Sequence, residues 1–200
     1  MTDSRMEEIR GRVEADLLGT PVLRKSAFFP CDGVRIRLSR DWSAGPRALV
    51  IGCNASTADA DKDDPTSRWW NAWFRLFGFG GYDAMNLYPF CSPDPMTCKR
   101  RVDAALNGGD WGDRDLLMFN NLPTLVKAAK KAAQVFVCWG AIAWDDDWIE
   151  QVVEEIQTGE APYPDLWCWG KTGSGAPKHP LARGKHRIPA DQKPILWRAA

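Results

Sequence analysis

Histidine is scarce in this 200-residue chain, with two in all, and tyrosine numbers only three. The six cysteines contain no C-x-x-C pair. The nearest two, Cys91 and Cys98, lie seven apart, a spacing that argues against a zinc or iron–sulfur site. No window of about 18 apolar residues occurs, so hydropathy gives no membrane-spanning helix and no membrane partner. The basic start and apolar run of a secretory signal are also missing, and the expected location is the cytoplasm, with the thiols reduced. Net charge is absent too: 26 Lys and Arg balance 26 Asp and Glu, which argues against a protein that coats nucleic acid or membrane through its overall field. No Gly-x-Gly-x-x-Gly loop, Walker phosphate loop or Gly-x-Ser-x-Gly elbow is present. Dinucleotide-dependent hydride transfer, P-loop hydrolysis and the common serine-hydrolase chemistry lose ground accordingly.

What is there describes an ordinary globular domain, with 44% apolar, 26% charged and 11% aromatic side chains. A chain of this length buries roughly 70% of the surface its unfolded form exposes, so it needs neither disulfide nor metal to hold a core. The pattern calls for no cofactor and no resident metal. No repeat, low-complexity stretch or linker divides it. The expectation is an N-terminal helix over residues 1–20, carried by Met6, Ile9, Val13 and Leu17, then a single α/β domain over 21–200. Charge is unevenly spread, with eight acids and no Lys or Arg in residues 141–170, and seven bases against Asp191 in the last thirty residues. That basic end is either a solvated surface or a contact for phosphate.

Leu23–Phe29 and Val34–Leu38 read as two strands joined around Pro30-Cys31-Asp32-Gly33, with Arg35 and Arg37 on a wet face. Ala48–Ile51, Tyr82–Leu87, Val135–Cys138 and Leu166–Trp169 are short apolar runs of the kind buried in a parallel sheet. Helices are expected over Pro65–Phe77, Asn121–Ala133 and around Trp148–Ile156, whereas Pro89–Gly112 reads as loop and short helix. Strands alternating with helices predict a three-layer α/β/α sandwich with a mostly parallel central sheet. Ligands in such sheets bind beyond the carboxyl ends of the strands. The chemistry is therefore expected at Asn54–Ser56, Asn86–Tyr88, Trp139-Gly140 and Lys178-His179-Pro180. Singly, a loop histidine or a capping asparagine is ordinary; their joint placement at successive strand ends is not.

Gly52-Cys53-Asn54 after the first buried strand, Asn86-Leu87 at the end of the next, the strand running into Trp139-Gly140 and the late His179-Pro180-Leu181 resemble the uracil-DNA glycosylase superfamily. The run Asn54–Asp59, Asp64-Pro65-Thr66 with Arg68, and Gly175–Leu181 are similar to an uncharacterised domain family of bacteria and phages, over about residues 34–182. The resemblance implies a uracil-DNA-glycosylase-like fold and a partner that is DNA or a nucleotide, met in the host cytoplasm if phage-encoded. It implies roles as well. Asn86 reads a pyrimidine edge, His179 donates to the base O2 as charge moves onto the departing base, and Asn54 holds the attacking water. Gly52, Cys53, Ser56, Leu87, Arg68, Trp139 and Pro180 line the substrate. Two departures stand out: the first loop lacks the tyrosine that closes a uracil pocket, and Leu181 stands where a phosphate-gripping serine is found.

The acidic run Asp59, Asp61, Asp63 and Asp64 admits three readings: a Mg²⁺ site, a general base at Asp64, or a solvated loop whose Asp64 caps the helix at Pro65. Trp69, Trp70, Trp73, Phe74 and Phe77 either pack a core or offer a stacking surface for a base. Four functions follow: hydrolysis of a pyrimidine N-glycosidic bond, group transfer at the 5-substituent of a modified pyrimidine with Asp64 as base, recognition of a base without chemistry, or a small-molecule enzyme on a generic α/β sheet.

Overall fold

A computed structural model describes residues 24–200, and the expected helix over 1–20 lies outside them. Strands β1 (Arg24–Phe28), β2 (Arg37–Asp41), β3 (Arg47–Asn54), β4 (Gly81–Tyr88), β5 (Gln134–Val137), β6 (Leu166–Cys168) and β7 (Ile195–Arg198) form one sheet in the order β1-β2-β4-β3-β5-β6-β7. The apolar runs hydrogen-bond in parallel as its centre, β4-β3-β5-β6. The pairs β1/β2, β2/β4 and β6/β7 are antiparallel. The sheet is therefore mixed, where a mostly parallel one was expected. Two connections explain it. The short loop between β1 and β2 can only join antiparallel neighbours. Between β6 and β7 the chain has a three-residue 3₁₀ turn, Gly184–His186, in place of a crossover helix.

Side chains alternate across β3 because successive residues of a strand face opposite ways. Leu49, Ile51 and Cys53 pack with Met85, Leu87, Val135 and Val137 under helices α2 (Pro95–Asn107), α4 (Leu122–Lys131) and α5 (Asp146–Gln157). Ala48 and Val50 pack with Tyr82, Ala84 and Phe136 under α1 (Pro65–Leu76). Each fully buried aliphatic side chain here contributes roughly 1.5–3 kcal/mol. A five-residue helix α3 (Trp111–Asp115) runs through a π-helical turn, Leu116–Asn121, into α4.

Helix α1 starts where the sequence says it should. The Asp64 carboxylate accepts from the Ser67 N–H at 2.7 Å and Pro65 fills the first turn, where it sacrifices no hydrogen bond. Helix α2, 13 residues long, is longer than the short helix expected within Pro89–Gly112. Asp94 caps it through the N–H groups of Met96 and Thr97, yet its buried face is only Cys98, Val102 and Ala105, too thin a stripe to stand out in sequence. The first hairpin is also corrected. Asp32-Gly33 forms a tight turn closed by the Val34 N–H on the Cys31 carbonyl, nested inside a longer loop. Ile36 and Leu38 then bury on opposite faces. Both faces of this segment are covered, so Arg35, opposite Val34 and Ile36, is only 4% exposed instead of wet.

Candidate functional site at the carboxyl ends of β3 and β4

Gly52 and Asn86 are register partners on parallel neighbours. A Cβ on Gly52 would stand 2.7 Å from Asn86 Nδ2, so glycine is what lets the amide lie across β3. Asn86 is 5% exposed, and its Oδ1 faces Arg35 Nη2 at 3.4 Å. The guanidinium carries only donors, so the oxygen must be the end turned toward it. Arg35 is held in turn by Nη1 donating to the Ala58 carbonyl at 2.6 Å and by its backbone N–H on Pro89 O at 2.8 Å. The end of β4 is pinned from the opposite layer: Asn121 Nδ2 donates to the carbonyls of Asn86 and Leu87, and the Trp148 indole N–H to that of Leu87.

On the other side of β3, Gly140 follows β5 with φ +73°, a conformation that favours glycine. A Cβ there would meet the His179 side chain at 3.5 Å, and the Gly140 N–H donates to Pro177 O at 2.9 Å, which ties the His179 loop to the strand end. The Leu181 N–H donates to His179 Nδ1 at 3.1 Å. Nδ1 is thus an acceptor, and the neutral ring carries its proton on Nε2. Burial lowers the imidazole pKa below its ordinary value, against a smaller opposite pull from Asp64, so the ring is neutral near pH 7.

Asn54 completes the pattern. Its Nδ2 donates to the carbonyls of Ala55, at 2.9 Å, and Ser92, at 2.8 Å. Both amide hydrogens are spent, and Oδ1 is left as an acceptor without a partner among the described residues. Three side chains are therefore preset by their neighbours: Asn54 as an acceptor, Asn86 and His179 as donors.

Asp64 lies within electrostatic reach of both Arg35 and His179, but one of its oxygens caps α1. Arg68 is exposed and donates to Asp63 O at 2.7 Å rather than pairing with Asp64. Ser56 is half-buried and Pro180 buried. Cys53, Leu87 and Trp139 belong to the core on the opposite face of the sheet. Desolvation pushes the Cys53 thiol up to about 12.

The acidic loop is built around Arg40, which is fully buried. Its Nε donates to Asp63 at 2.7 Å, and its terminal nitrogens to the carbonyls of Ser39, Asp59 and Lys62. Lys25 also pairs with Asp63, and Asp59 accepts from the N–H groups of Asp61 and Lys62. No three metal-ligating side chains converge among the described residues. The aromatic residues of α1 pack on one another and on the sheet: Trp73 stacks on Phe77 with centroids 4.2 Å apart and meets Phe136 and Trp169 edge-on. Sequence reasoning missed Arg35, Arg40 and Asn121. The only signal for the arginines was their place inside the apolar run Val34–Leu38 and just after it, and Asn121 gave none.

A separate cleft of about 800 Å³ lies between α4 and α5, lined by Leu122, Val126, Lys130, Glu155 and Pro162 among others. Lys130 there is committed to the carbonyls of Thr158 and Glu160 at the end of α5. No described helix is long and apolar enough to cross a membrane.

The fold is an α/β protein with a mixed sheet, and Asn54 and Asn86 stand at the carboxyl ends of its parallel strands β3 and β4. Residues 35–181 match the family described as protein of unknown function DUF1643, and the chain belongs to that family. No curated protein and no solved structure matches it.

Proposed function

We propose that this site binds a pyrimidine base, in DNA or in a nucleotide, on a uracil-DNA-glycosylase-like three-layer scaffold, and that its chemistry is cleavage of the N-glycosidic bond. The observation that carries the reading is the preset polarity of the three side chains. Asn86 Nδ2 offers a donor to a carbonyl on the base edge. His179, neutral with its proton on Nε2, offers a donor to O2. As the C1′–N1 bond breaks, its electron pair passes to the base, and a fixed donor at O2 stabilises that charge by roughly 3–4 kcal/mol. A water oriented by Asn54 Oδ1 adds to C1′ and releases its proton to solvent.

An amide does not take a proton, so Asn54 orients the water without activating it and the turnover is slow. The same fact favours one alternative, recognition of the base without hydrolysis. Group transfer at a 5-substituent has Asp64 as its base, a carboxylate with one oxygen already committed to the α1 cap. The test is mass spectrometry of single- and double-stranded oligonucleotides carrying uracil, mismatched thymine or 5-substituted pyrimidines, incubated at low salt. Base release that disappears with Asn54→Ala and with His179→Ala supports the reading. Tight binding with every strand left intact overturns the hydrolytic step and leaves recognition.

A further inference from the structure

Arg35 is a buried cation without a carboxylate in contact among the described residues. Its hydrogen-bond partners are neutral, the Ala58 carbonyl and Asn86 Oδ1, and its Nε is buried without a partner. Placing a guanidinium so is costly, because its charge is desolvated with only neutral dipoles around it. What that cost secures is visible at Asn86. A carboxamide can turn by 180° about its last torsion and exchange donor for acceptor with almost no change of shape. Beside Arg35 it cannot, because the turned amide would bring Nδ2 hydrogens against Nη2 hydrogens.

We propose that Arg35 is the specificity-determining residue of this site: by holding Asn86 Oδ1 it leaves Nδ2 to face the ligand, and so selects a pyrimidine with a carbonyl rather than an amino group at C4. The inference rests on the base-binding reading above and adds to it a residue and a direction of preference. Gly52 works with Arg35, since the space its missing side chain leaves is the space Nδ2 occupies. Arg35 need not touch the base. It is a positioning residue that acts through the amide, and its positive charge polarises that amide so that the remaining N–H is a stronger donor.

The test compares three fluorescein-labelled single strands, identical except for one central deoxyuridine, deoxycytidine or deoxyadenosine, by anisotropy at low salt. Wild-type protein should favour deoxyuridine over deoxycytidine by about tenfold, the discrimination expected of a well-placed amide contact. Arg35→Gln removes the donor-only constraint, since a glutamine accepts as well as donates, and should bring the ratio to within about twofold. Arg35→Lys, still donor-only, should keep it. A merely structural role for Arg35 would weaken all strands together and leave the ratio alone, which overturns the proposal. Asn86→Asp provides a second route if Arg35→Gln fails to fold. A carboxylate paired with Arg35 presents only acceptors, so the preference should invert toward deoxycytidine, and an unchanged preference is fatal. Wild type that binds all three strands equally refutes both the proposal and the base-binding reading. Wild type that discriminates, with Arg35→Gln discriminating as well, refutes the role of Arg35 alone.

Discussion

The backbone N–H of Leu181 donates to Nδ1 of His179, two residues back along the same loop, at 3.1 Å. This single bond decides what the histidine can do. It assigns the proton to Nε2 and penalises protonation, because an imidazolium would carry a second hydrogen at the nitrogen that accepts from Leu181. With burial acting in the same direction, the folded-state pKa lies below the ordinary 6.5. Base release should be level at neutral pH and fall once acidification passes the lowered folded-state value, because a hydrogen on Nδ1 repels the Leu181 N–H and unseats the ring. Stability follows the same sign: the unfolded chain binds the proton first, so folding weakens as pH drops from 6.5 through the lower folded-state value. An NMR titration of the His179 ring checks this, and a midpoint above 6.5 contradicts it.

Gly52→Ala places a methyl group 2.7 Å from Asn86 Nδ2. Overpacking of this kind costs about 1–3 kcal/mol, and here part of it is relieved by displacing the amide. Oligonucleotide affinity should drop by about tenfold or more, the loss of one well-placed amide contact. The sheet should survive, as circular dichroism and urea denaturation will report.

Asp63→Ala strips Arg40 of its only carboxylate among the described residues while leaving the guanidinium fully buried. Removing one partner of a buried pair is strongly destabilising, and about 3 kcal/mol is expected, at the low end because Asp63 itself is partly exposed. Desolvation raises the Asp63 pKa, but the bonds from Lys25 and Arg40 outweigh it and the net direction is down. Its contribution is therefore present above the ordinary 3.8 and lost as pH falls below that. Urea denaturation at pH 7 and at pH 3 should show a gap between variant and wild type that narrows in acid.

These residues mark the limit of what the sequence makes legible. The centre of the sheet, the start of α1 at Pro65 and the ends of β3 and β4 carrying Asn54 and Asn86 can be read directly, because apolar runs and turn residues reflect local physics, whereas His179 lies in the loop between β6 and β7, well past a strand end. Arg35 and Arg40 cannot. In a strand of alternating pattern an arginine reads as a wet face, and only the cover over the second face of the sheet buries Arg35 opposite Val34 and Ile36. The acidic loop invites a metal in sequence. In the fold two of its carboxylates serve a buried arginine and a helix cap, while a third holds a turn. Strand β7 is hard to read in sequence because its apolar run, Ile195-Leu196-Trp197, is only three residues long and stays exposed or half-buried.

The thiols divide by burial. Burial pushes Cys53 and Cys98 up to about 12, and Cys138 is raised further, whereas Cys31 is exposed and Cys91 half-buried. Iodoacetamide on native protein should label Cys31 first and Cys91 slowly, with the other four protected until denaturant is added. Peptide mass mapping reads this out, and early labelling of Cys53 would mean that the β3 end is open on its apolar side.

Where a base-bearing strand lands on the protein is the most direct question to ask. Nuclear magnetic resonance of ¹⁵N-labelled protein, titrated with a single strand carrying one deoxyuridine, follows the side-chain amides of Asn54 and Asn86 and the ring of His179 individually. All three should shift together and saturate together, while Val126, Lys130 and Glu155 in the cleft between α4 and α5 stay in place. Shifts confined to that cleft, with the two asparagines and the histidine unmoved, would contradict the assignment of the site.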